Sequence, residues 1–337
     1  MQKGRRFIIP IFIPHEGCPH RCVYCDQSRI TGTPKMPEEG EIVEIIRQHL
    51  RTKGPGCGKT QVAFYGGSFT ALQREVRGRL LEATRPFLEN GEVDSLRLST
   101  RPDSLDPTIL AELHEWGVET VELGVQSMDE DVLRISRRGY GPEVVRDAVM
   151  LLHEGGFEIG IQLMVGLPGE TPEGLFLTVD EVIRLRPHFV RIYPTLVIRG
   201  TVLERWLERG EYRPLRLEEA VELAKEMVVR FEEAGIAVIR IGLQPTSSLE
   251  KSIIAGPYHP AFGQLVRSAL LLEKARELLK GHRGEEVTFR VSPGDLSSFF
   301  GQRKENLRRL KEDFALRMIK VIPDPSIERG GLRLAAA

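Results

Sequence analysis

Three of the four cysteines lie close together near the start of the chain, at Cys18, Cys22 and Cys25. Thiols at this spacing indicate a metal site that holds an iron cluster or a zinc ion. A structural zinc ion takes four protein ligands, so His15 or His20 would have to complete that site. A cubane [4Fe–4S] cluster on three thiolates instead leaves one iron open for a ligand that is not protein. The metal decides which chemistry we expect.

The composition limits the classes of partner. Lys and Arg number 47 and Asp and Glu number 48, so nucleic acid or an anionic membrane would have to bind a local patch. No apolar run reaches the length of a membrane span, and the first residues contain no signal-peptide core. We therefore expect a cytoplasmic protein without a membrane partner. Its reducing compartment would keep the cysteines available as ligands.

Strand-like and helical segments alternate along most of the 337 residues. The apolar pattern predicts strands at 7–13, 61–65, 95–100, 120–124, 158–165, 189–194 and, as a seventh, 237–242. Helical periodicity predicts helices at 41–50, 73–88, 106–116, 142–154, 172–185 and 217–234. This alternation implies right-handed crossovers and a parallel α/β sheet, which would be either doubly wound or curved into an incomplete barrel.

Residues that break the ordinary pattern follow several of these strands. The cysteines follow the first strand, Gly66 and Gly67 the second, Gln126 the fourth and residues 166–169 the fifth. Chemistry in parallel α/β folds collects at the carboxyl ends of the strands. We therefore expect these residues to belong to one site.

The remainder of the chain is predicted to form two smaller units. A long helix at 260–280 precedes a glycine-bounded loop, and beyond the loop lies a small β-α-α-β unit with segments at 286–291, 293–300, 303–313 and 318–322. Residues 330–337 carry no pattern and are expected to fray. The predicted domains are therefore a barrel at 1–250, a helical extension at 251–284 and a C-terminal module at 285–330.

The spacing C-x3-C-x2-C, with Tyr24 before the last cysteine, resembles the signature of the radical S-adenosylmethionine (SAM) superfamily. The resemblance implies a [4Fe–4S] cluster on Cys18, Cys22 and Cys25, with SAM chelating the open iron. It further implies that an electron from the cluster cleaves SAM to a 5′-deoxyadenosyl radical, which abstracts hydrogen from a substrate. Tyr24 matches the position packed near the adenine. A low-potential donor such as flavodoxin or ferredoxin would supply the electron.

A second motif follows the second strand. The stretch Tyr-Gly-Gly-Ser-Phe-Thr at residues 65–70 is similar to the family's Gly-Gly-Glu motif, whose backbone binds the amino group of SAM. The resemblance implies contacts at Gly66, Gly67 and Ser68. Glycine suits this role because the main chain must approach a ligand closely.

The central blocks at 122–130 and 162–171 resemble those of oxygen-independent coproporphyrinogen oxidases and of the radical domain of the Elongator catalytic subunit. On this resemblance Gln126 and Gln162 bind the ribose hydroxyls of SAM, and Arg138 pairs with its carboxylate. Two positions depart from the patterns. Ser99 stands where the Elongator type has Glu, and Gln162 replaces an acid of the porphyrinogen oxidases.

The resemblance covers residues 6 to 275, and the blocks at 190–201 and 255–262 are nearer to the Elongator type. It does not include the acetyltransferase domain of the Elongator subunit, so the complete uridine-modifying activity is not implied. The implied fold is an incomplete (β/α)6 TIM-like barrel, and the preferred function is radical SAM chemistry on RNA, with tRNA as the expected partner. A porphyrinogen oxidase-like enzyme and a non-catalytic cluster-bearing binding or chaperone protein remain alternatives.

The C-terminal module carries its own RNA motif. Gly301 begins a loop between two helical segments that resembles the G-x-x-G helix start of a KH domain, with Lys304 at the second glycine. Together with Arg303, Arg308 and Lys311 these residues would form a local phosphate-binding face. An ordinary solvated helix is the alternative interpretation. Cys57, the remaining cysteine, is predicted to lie in a loop.

Overall fold

The structure is a computed structural model that describes residues 6–14, 17–33 and 35–335. Seven strands, all parallel to their neighbours, form the main sheet in chain order, and the sheet curls into a half-barrel. The strands are β1 (Phe7–Ile13), β2 (Thr60–Gly66), β3 (Ser95–Thr100), β4 (Val118–Gln126), β5 (Glu158–Val165), β6 (Phe189–Pro194) and β8 (Ala237–Ile241). The predicted incomplete barrel is confirmed.

Helices connect successive strands and cover the outside of the sheet. They are α1 (Gln27–Thr31), α2 (Glu39–Arg51), α3 (Arg74–Glu82), α4 (Arg85–Glu89), α5 (Pro107–Glu115), α6 (Glu130–Ile135), α7 (Pro142–Glu154), α8 (Pro172–Leu185), α9 (Val202–Glu208) and α10 (Leu217–Glu233). Local chemistry fixes several starts. Asp106 caps α5 by accepting from the Ile109 N–H, and Pro107 occupies the first helical turn, where no N–H is needed.

The predicted helix at 73–88 is wrong in one respect, because it is divided into α3 and α4. Pro86 lies in the first turn of α4 and has no N–H to donate to the preceding turn. A proline is tolerated at a helix start but not in a helix interior, so the chain ends one helix and begins another. Several short elements were also not predicted. They include the two-stranded ribbon of β7 (Val197–Ile198) and β9 (Ile253–Ala255), and the helix α11 (Ser247–Ser252) directly before β9.

Apart from the edge strand β8, the strands of the sheet consist mostly of buried and half-buried residues, which explains their nearly continuous apolar runs. Ile9, Ile11 and Ile13 of β1 are fully buried, and every residue of β3 is buried. Strands of a parallel sheet covered by helices are expected to have this pattern. No helix in the described ranges is long and apolar enough to cross a bilayer.

A buried carboxylate organises the polar interior of the half-barrel. The Glu122 side chain is completely buried and accepts from Arg97 Nη1 at 3.0 Å and from Arg191 Nη2 at 2.8 Å. Tyr65 donates to the same carboxylate at 3.2 Å, and so does Gln162 through Nε2 at 3.2 Å. A buried charge is tolerated when it is paired and hydrogen-bonded in this way. The network joins five strands, β2 to β6, and fixes Gln162 near the carboxyl end of β5.

The C-terminal module has the predicted β-α-α-β order. It contains β10 (Glu286–Val291), α13 (Leu296–Phe300), α14 (Glu305–Asp313) and β11 (Met318–Pro323), with β10 and β11 parallel. The prediction that residues 330–337 carry no structure is wrong for Leu332–Leu334, which form β12 antiparallel to β10. A strand of three residues is too short to give a periodic signal. Residues 336 and 337 lie outside the described ranges.

Helix α12 (Phe262–Leu279) connects the half-barrel to this module. Phe262 and Val266 belong to the main core, whereas Leu272, Ala275 and Leu279 belong to the core of the module. One helix therefore contributes to both hydrophobic cores. The domain bounds at 250 and 284 stay a prediction.

Asn306 provides a test of how the module is held to α12. This buried side chain donates through Nδ2 to the carbonyl and hydroxyl of Ser268, each at 3.0 Å, and lies near the carbonyl of Phe299 at 3.2 Å. We expect Asn306→Ala to lower the free energy of unfolding by about 1–3 kcal/mol, because buried acceptors lose their donor. Urea unfolding measures this loss. The exposed Arg308→Ala on the same helix should change stability by less than about 0.5 kcal/mol, and equal effects would contradict the anchoring role.

Candidate functional site

A cavity of about 150 Å³ opens at the carboxyl ends of the first five strands. It brings together every predicted metal and cofactor residue except Ser68, namely Cys18, Cys22, Tyr24, Cys25, Gly66, Gly67, Gln126, Arg138 and Gln162. These residues are up to 144 positions apart, from Cys18 to Gln162, and only the parallel sheet places them side by side. Whether each contacts a cofactor stays a prediction.

The cysteine loop is fixed by close backbone contacts. Gly17 has a φ of +73°, and a Cβ at this residue would overlap the carbonyl oxygen of Ser68. Further along the loop, Cys25 N–H donates to the carbonyl of Cys22 at 3.1 Å, and Val23 N–H donates to that of Ser136 at 3.3 Å. The loop is therefore attached to the segment after β2 on one side and to the end of α6 on the other.

The three thiols lie in a poorly hydrated environment. Burial raises the pKa of Cys18, and the neighbouring Cys22 thiol raises it further. Burial and both neighbouring thiols likewise raise the pKa of Cys25 well above that of a free thiol. The raised pKa values of Cys18 and Cys25 favour their protonated forms, and a bound metal would displace those protons. The loop is thus organised to receive positive charge.

The arrangement differs from a site for one ion. Within the described ranges, no three side chains of His, Cys, Asp or Glu are placed to share a single metal ion. Of the histidines considered for zinc, His15 lies outside the described residues, and His20 lines the cavity rim against Gly139. A four-iron cluster does not require its thiolates to converge on one point, because each binds a separate iron.

The glycine pair after β2 is required by its surroundings. Gly66 has a φ of +108°, and a Cβ there would lie 3.2 Å from the carbonyl oxygen of Ile13. Gly67 N–H donates to that same carbonyl at 2.7 Å, while the Gln27 side chain donates to the carbonyl of Gly66. The positive φ and the close carbonyl at Gly66 favour a residue without a side chain there.

Ser68 is placed differently from the glycines. Its side chain is buried outside the cavity, where Oγ bonds to Thr100 Oγ1 at 2.9 Å and accepts from the backbone N–H of Arg101 at 3.2 Å. The hydroxyl therefore connects the ends of β2 and β3. Any cofactor contact of Ser68 would have to come from its backbone.

Gln126 has an unusual backbone conformation. Its φ is +74°, and the pairing of β4 with β5 shifts register between Gly124 and Gln126. A residue other than glycine costs about 1–2 kcal/mol in this left-handed region. Such strain is concentrated at functional sites, where it redirects a side chain. Here the bulge brings the amide of Gln126 to the cavity.

Arg138 is buried beside the cysteine loop with all three of its nitrogens in use. Its Nη1 donates to Cys22 Sγ at 3.0 Å, Nε donates to the Tyr140 hydroxyl at 3.0 Å, and Nη2 donates to the carbonyl of Gly124. Tyr140 also donates to that carbonyl at 2.9 Å. The guanidinium is therefore held rigidly against a cysteine of the predicted metal site.

Sequence reasoning did not single out Arg101, Thr100 or Gln27, which also line the cavity. Arg101 donates to Asp103 through Nε at 2.8 Å and through Nη2 at 2.6 Å. The spacing Arg-Pro-Asp directly after a predicted strand was a usable signal, because it places a cation and its brace at a strand end. None of the described lining residues is Asp or Glu. A cavity with thiols and guanidinium groups fits a ligand with negative charge.

The loop at 166–169 lies outside this cavity. It lines a separate, more open cavity of about 490 Å³, together with Trp206 and Tyr212. The Tyr212 hydroxyl donates to the carbonyl of Gly166 at 2.7 Å, and Glu170 accepts from Gly166 N–H at 2.6 Å. Burial raises the pKa of Glu170 to about 8. The expectation that all strand-end motifs share one site is wrong for this loop, which follows β5 but lies outside the cofactor cavity.

Comparisons with known proteins agree with this geometry. The profile of the radical SAM superfamily matches residues 12–182, and that of a radical SAM C-terminal domain matches residues 187–271. The chain belongs to the radical SAM superfamily. Enzymes of this superfamily use a [4Fe–4S] cluster and SAM, and the cavity has thiols that would hold the cluster and guanidinium groups that suit the SAM carboxylate.

Similar proteins within the superfamily include tRNA-modifying ones. The chain is 30% identical over 230 residues to a tRNA uridine(34) acetyltransferase of Dehalococcoides mccartyi, covering 58% of this chain and 50% of that protein. It is 29% identical over 201 residues to human Elongator complex protein 3, and the match covers 54% of this chain and 37% of that protein. It thus spans half or less of the length of these relatives. The archaeal Elp3 of Methanocaldococcus infernus has the same fold, with a TM-score of 0.61 and 23% identity. The match covers 84% of this chain and 65% of the Elp3 chain.

Gly17→Ala tests the docking of the cysteine loop. The added Cβ would overlap the Ser68 carbonyl oxygen, so we expect the variant to lose most of its cluster on anaerobic reconstitution, measured as bound iron and sulfide. Gly91→Ala is the matched control, since Gly91 has a φ of +75° but open space around it. That control should lose only about 1 kcal/mol of stability and keep its cluster. Equal cluster loss in both variants would show that backbone strain alone matters.

Cys25→Ala tests the metal ligands. Two thiolates rarely hold a site-differentiated cubane, so the variant should lose the cluster absorbance near ~400 nm and all cleavage of SAM. The control is Cys57→Ala, because Cys57 is exposed and does not line the cavity. A Cys25→Ala protein that retains four irons would refute the assignment.

Proposed function

We propose that this protein is a radical SAM enzyme that modifies RNA, with tRNA as its substrate. The proposal is supported by relatives whose names state action on tRNA uridine 34, although the chain spans about half of their length. It is also supported by a basic, strained loop next to the half-barrel. The loop is the observation on this chain that favours RNA over a small substrate.

The residues of the cavity have three tasks in this reaction. When bound, the cluster and SAM supply a one-electron reductive cleavage that activates a substrate C–H bond. The protein holds the three thiols, presents the glycine backbone and both guanidinium groups, and keeps bulk water away. A low-potential donor, such as flavodoxin or ferredoxin, is the expected source of the electron.

The loop between α13 and α14 has the backbone of a G-x-x-G turn despite its substitution. Gly301 has a φ of +70°, and its Cβ would lie 3.0 Å from the Asn306 side chain. Arg303 and Lys304 have φ values of +49° and +62°. Lys304 therefore keeps the left-handed conformation that the missing second glycine would adopt without strain. Strain held in an exposed basic loop is typical of a binding site.

Three of the predicted RNA contacts carry free positive charge. Arg303, Lys304 and Arg308 are exposed, and none has a side-chain ion pair or hydrogen bond within the described part of the chain. The other two basic residues are engaged, Arg309 with Glu305 and Lys311 with the carbonyl of Arg317. The phosphate-binding face is therefore smaller than the sequence suggests and is concentrated at the loop.

The loop is also connected to the carboxyl-end side of the half-barrel. The distance between Gln302 Nε2 and His259 Nε2 is 3.1 Å. His259 belongs to the turn after β9, and in this turn Gly256 packs so closely on Thr195 that a Cβ would be 3.0 Å from its carbonyl. Thr195 directly follows β6. RNA bound at the loop would thus be held on the side of the half-barrel where β6 ends, next to β5 of the cavity wall.

An activity assay tests the proposal. Cluster-loaded protein would be given SAM, a reductant and either unmodified tRNA or coproporphyrinogen under anaerobic conditions. We expect tRNA to stimulate release of 5′-deoxyadenosine and to acquire a new mass. Release unaffected by any RNA, together with RNA affinity that does not depend on salt, would refute it. Turnover of coproporphyrinogen would favour the small-molecule alternative.

Lys304→Gly separates binding from stability. Glycine relieves the left-handed strain, so the variant should be as stable as the parent or more stable by up to about 1 kcal/mol. Loss of a phosphate contact should nonetheless weaken tRNA binding and lower the slope of log affinity against log salt by about 1. Thermal unfolding and filter binding measure the two effects. The control Lys320→Gly removes a positive charge from β11, away from the loop, and should leave RNA affinity unchanged.

A further inference from the structure

One guanidinium nitrogen of Arg101, a residue that lines the cofactor cavity, has no partner among the described residues. The Arg101 side chain is 5% exposed, and its Nη1 is buried with no hydrogen-bond acceptor within the described ranges. Its other two nitrogens are engaged, since Nε and Nη2 donate to Asp103 and Nη2 also donates to the carbonyl of Arg138. A buried donor without an acceptor costs free energy, so the arrangement favours a ligand that supplies one.

The guanidinium cannot easily turn to find another acceptor. Asp103 binds it in fork geometry, and the plane lies over the Tyr140 ring at 5.0 Å from its centre. The backbone N–H of Arg101 is in turn held by Ser68 Oγ at 3.2 Å. Two-point pairing of arginine with a carboxylate fixes both position and orientation. The free nitrogen is thus a preset feature of the cavity.

Arg138, which lines the cavity together with Arg101 and the exposed Arg21, has no free nitrogen. Each nitrogen of Arg138 already donates to Cys22, Tyr140 or Gly124. Pairing with a carboxylate would require it to give up one of these bonds. Arg101 can accept the same partner without losing any.

The position of Arg101 suits the charged end of SAM. Arg101 directly follows β3, between the glycine pair after β2 and the bulge at the end of β4. The glycine backbone is the expected contact of the SAM amino group, and the carboxylate is attached to the same carbon as that amino group. None of the described residues lining the cavity is acidic, so none of them competes for the nitrogen with a carboxylate.

We propose that Nη1 of Arg101 donates a hydrogen bond to the carboxylate of bound SAM. Asp103 and the carbonyl of Arg138 hold the guanidinium in place, while Arg138 acts on the cysteine loop through Cys22. No bond is made or broken by this contact, which binds and orients the cofactor. The proposal does not depend on the RNA substrate.

Ligand binding to the cluster-loaded, full-length protein tests the contact. Equilibrium dialysis would compare SAM with decarboxylated SAM, which lacks only the carboxylate. We expect Arg101→Gln to weaken SAM binding by about 10- to 100-fold but decarboxylated SAM by less than about 3-fold. Arg77→Gln is the matched control, because Arg77 is equally buried and paired with Glu112 but lies outside the cavity. That control should leave both affinities unchanged.

Two results would overturn the proposal. One is a loss of affinity by Arg101→Gln that is equal for both ligands, and the other is unchanged binding of SAM. A shifted midpoint potential of the ligand-free cluster, with carboxylate discrimination retained, would assign Nη1 to a cluster sulfur instead. If Arg101→Gln fails to retain four irons, Arg101→Lys decides by the same criteria. Lysine keeps the positive charge but cannot donate in fork geometry. It should reduce the preference for SAM over decarboxylated SAM by about 3- to 10-fold.

Discussion

The cysteine loop holds its thiols together because its backbone is locked to the segment that follows β2. Gly17 contacts the Ser68 carbonyl so closely that no side chain fits, and Gly67 donates to Ile13 at 2.7 Å. These contacts join the ends of the first two strands before any metal binds. They also oppose the cost of crowding three thiols, whose burial raises the pKa of Cys18 and Cys25. Without these backbone contacts, the local sequence C-x3-C-x2-C would not be restricted to one conformation.

The rest of the site is built from buried charges that brace one another. Glu122 pairs with Arg97 and Arg191 inside the half-barrel, while Asp103 holds Arg101 at the end of β3. Each pair leaves a defined donor or amide near the cavity and supplies no acidic group to its wall. Buried pairs of this kind contribute little net stability, but they fix geometry because a misplaced partner would leave an unpaired charge. The cavity therefore retains its positive character without a positive total charge on the chain.

The C-terminal module is joined to this site through shared packing. Helix α12 contributes to both cores, Asn306 attaches the helix start to Ser268, and Gln302 reaches His259. A basic loop on a loosely tethered module would act as an independent tag. Here the loop has a fixed position relative to the half-barrel, as the proposed placement of one nucleoside at a reactive centre would require.

The sequence by itself determined the alternation of strands and helices, the parallel sheet and the residues that crowd its carboxyl ends, because hydrophobic periodicity and glycine placement are local properties. It also identified the cysteines through their spacing. It could not determine that α3 and α4 are separate, that Leu332–Leu334 pairs with β10, or that the 166–169 loop lies behind the site. Folding alone distinguishes the two buried guanidinium groups of the cavity, because Arg101 has a free nitrogen and Arg138 has none. Arg101 and Arg138 look alike in sequence, and their difference arises from Cys22, Tyr140 and Gly124, partners that folding alone brings within hydrogen-bond distance.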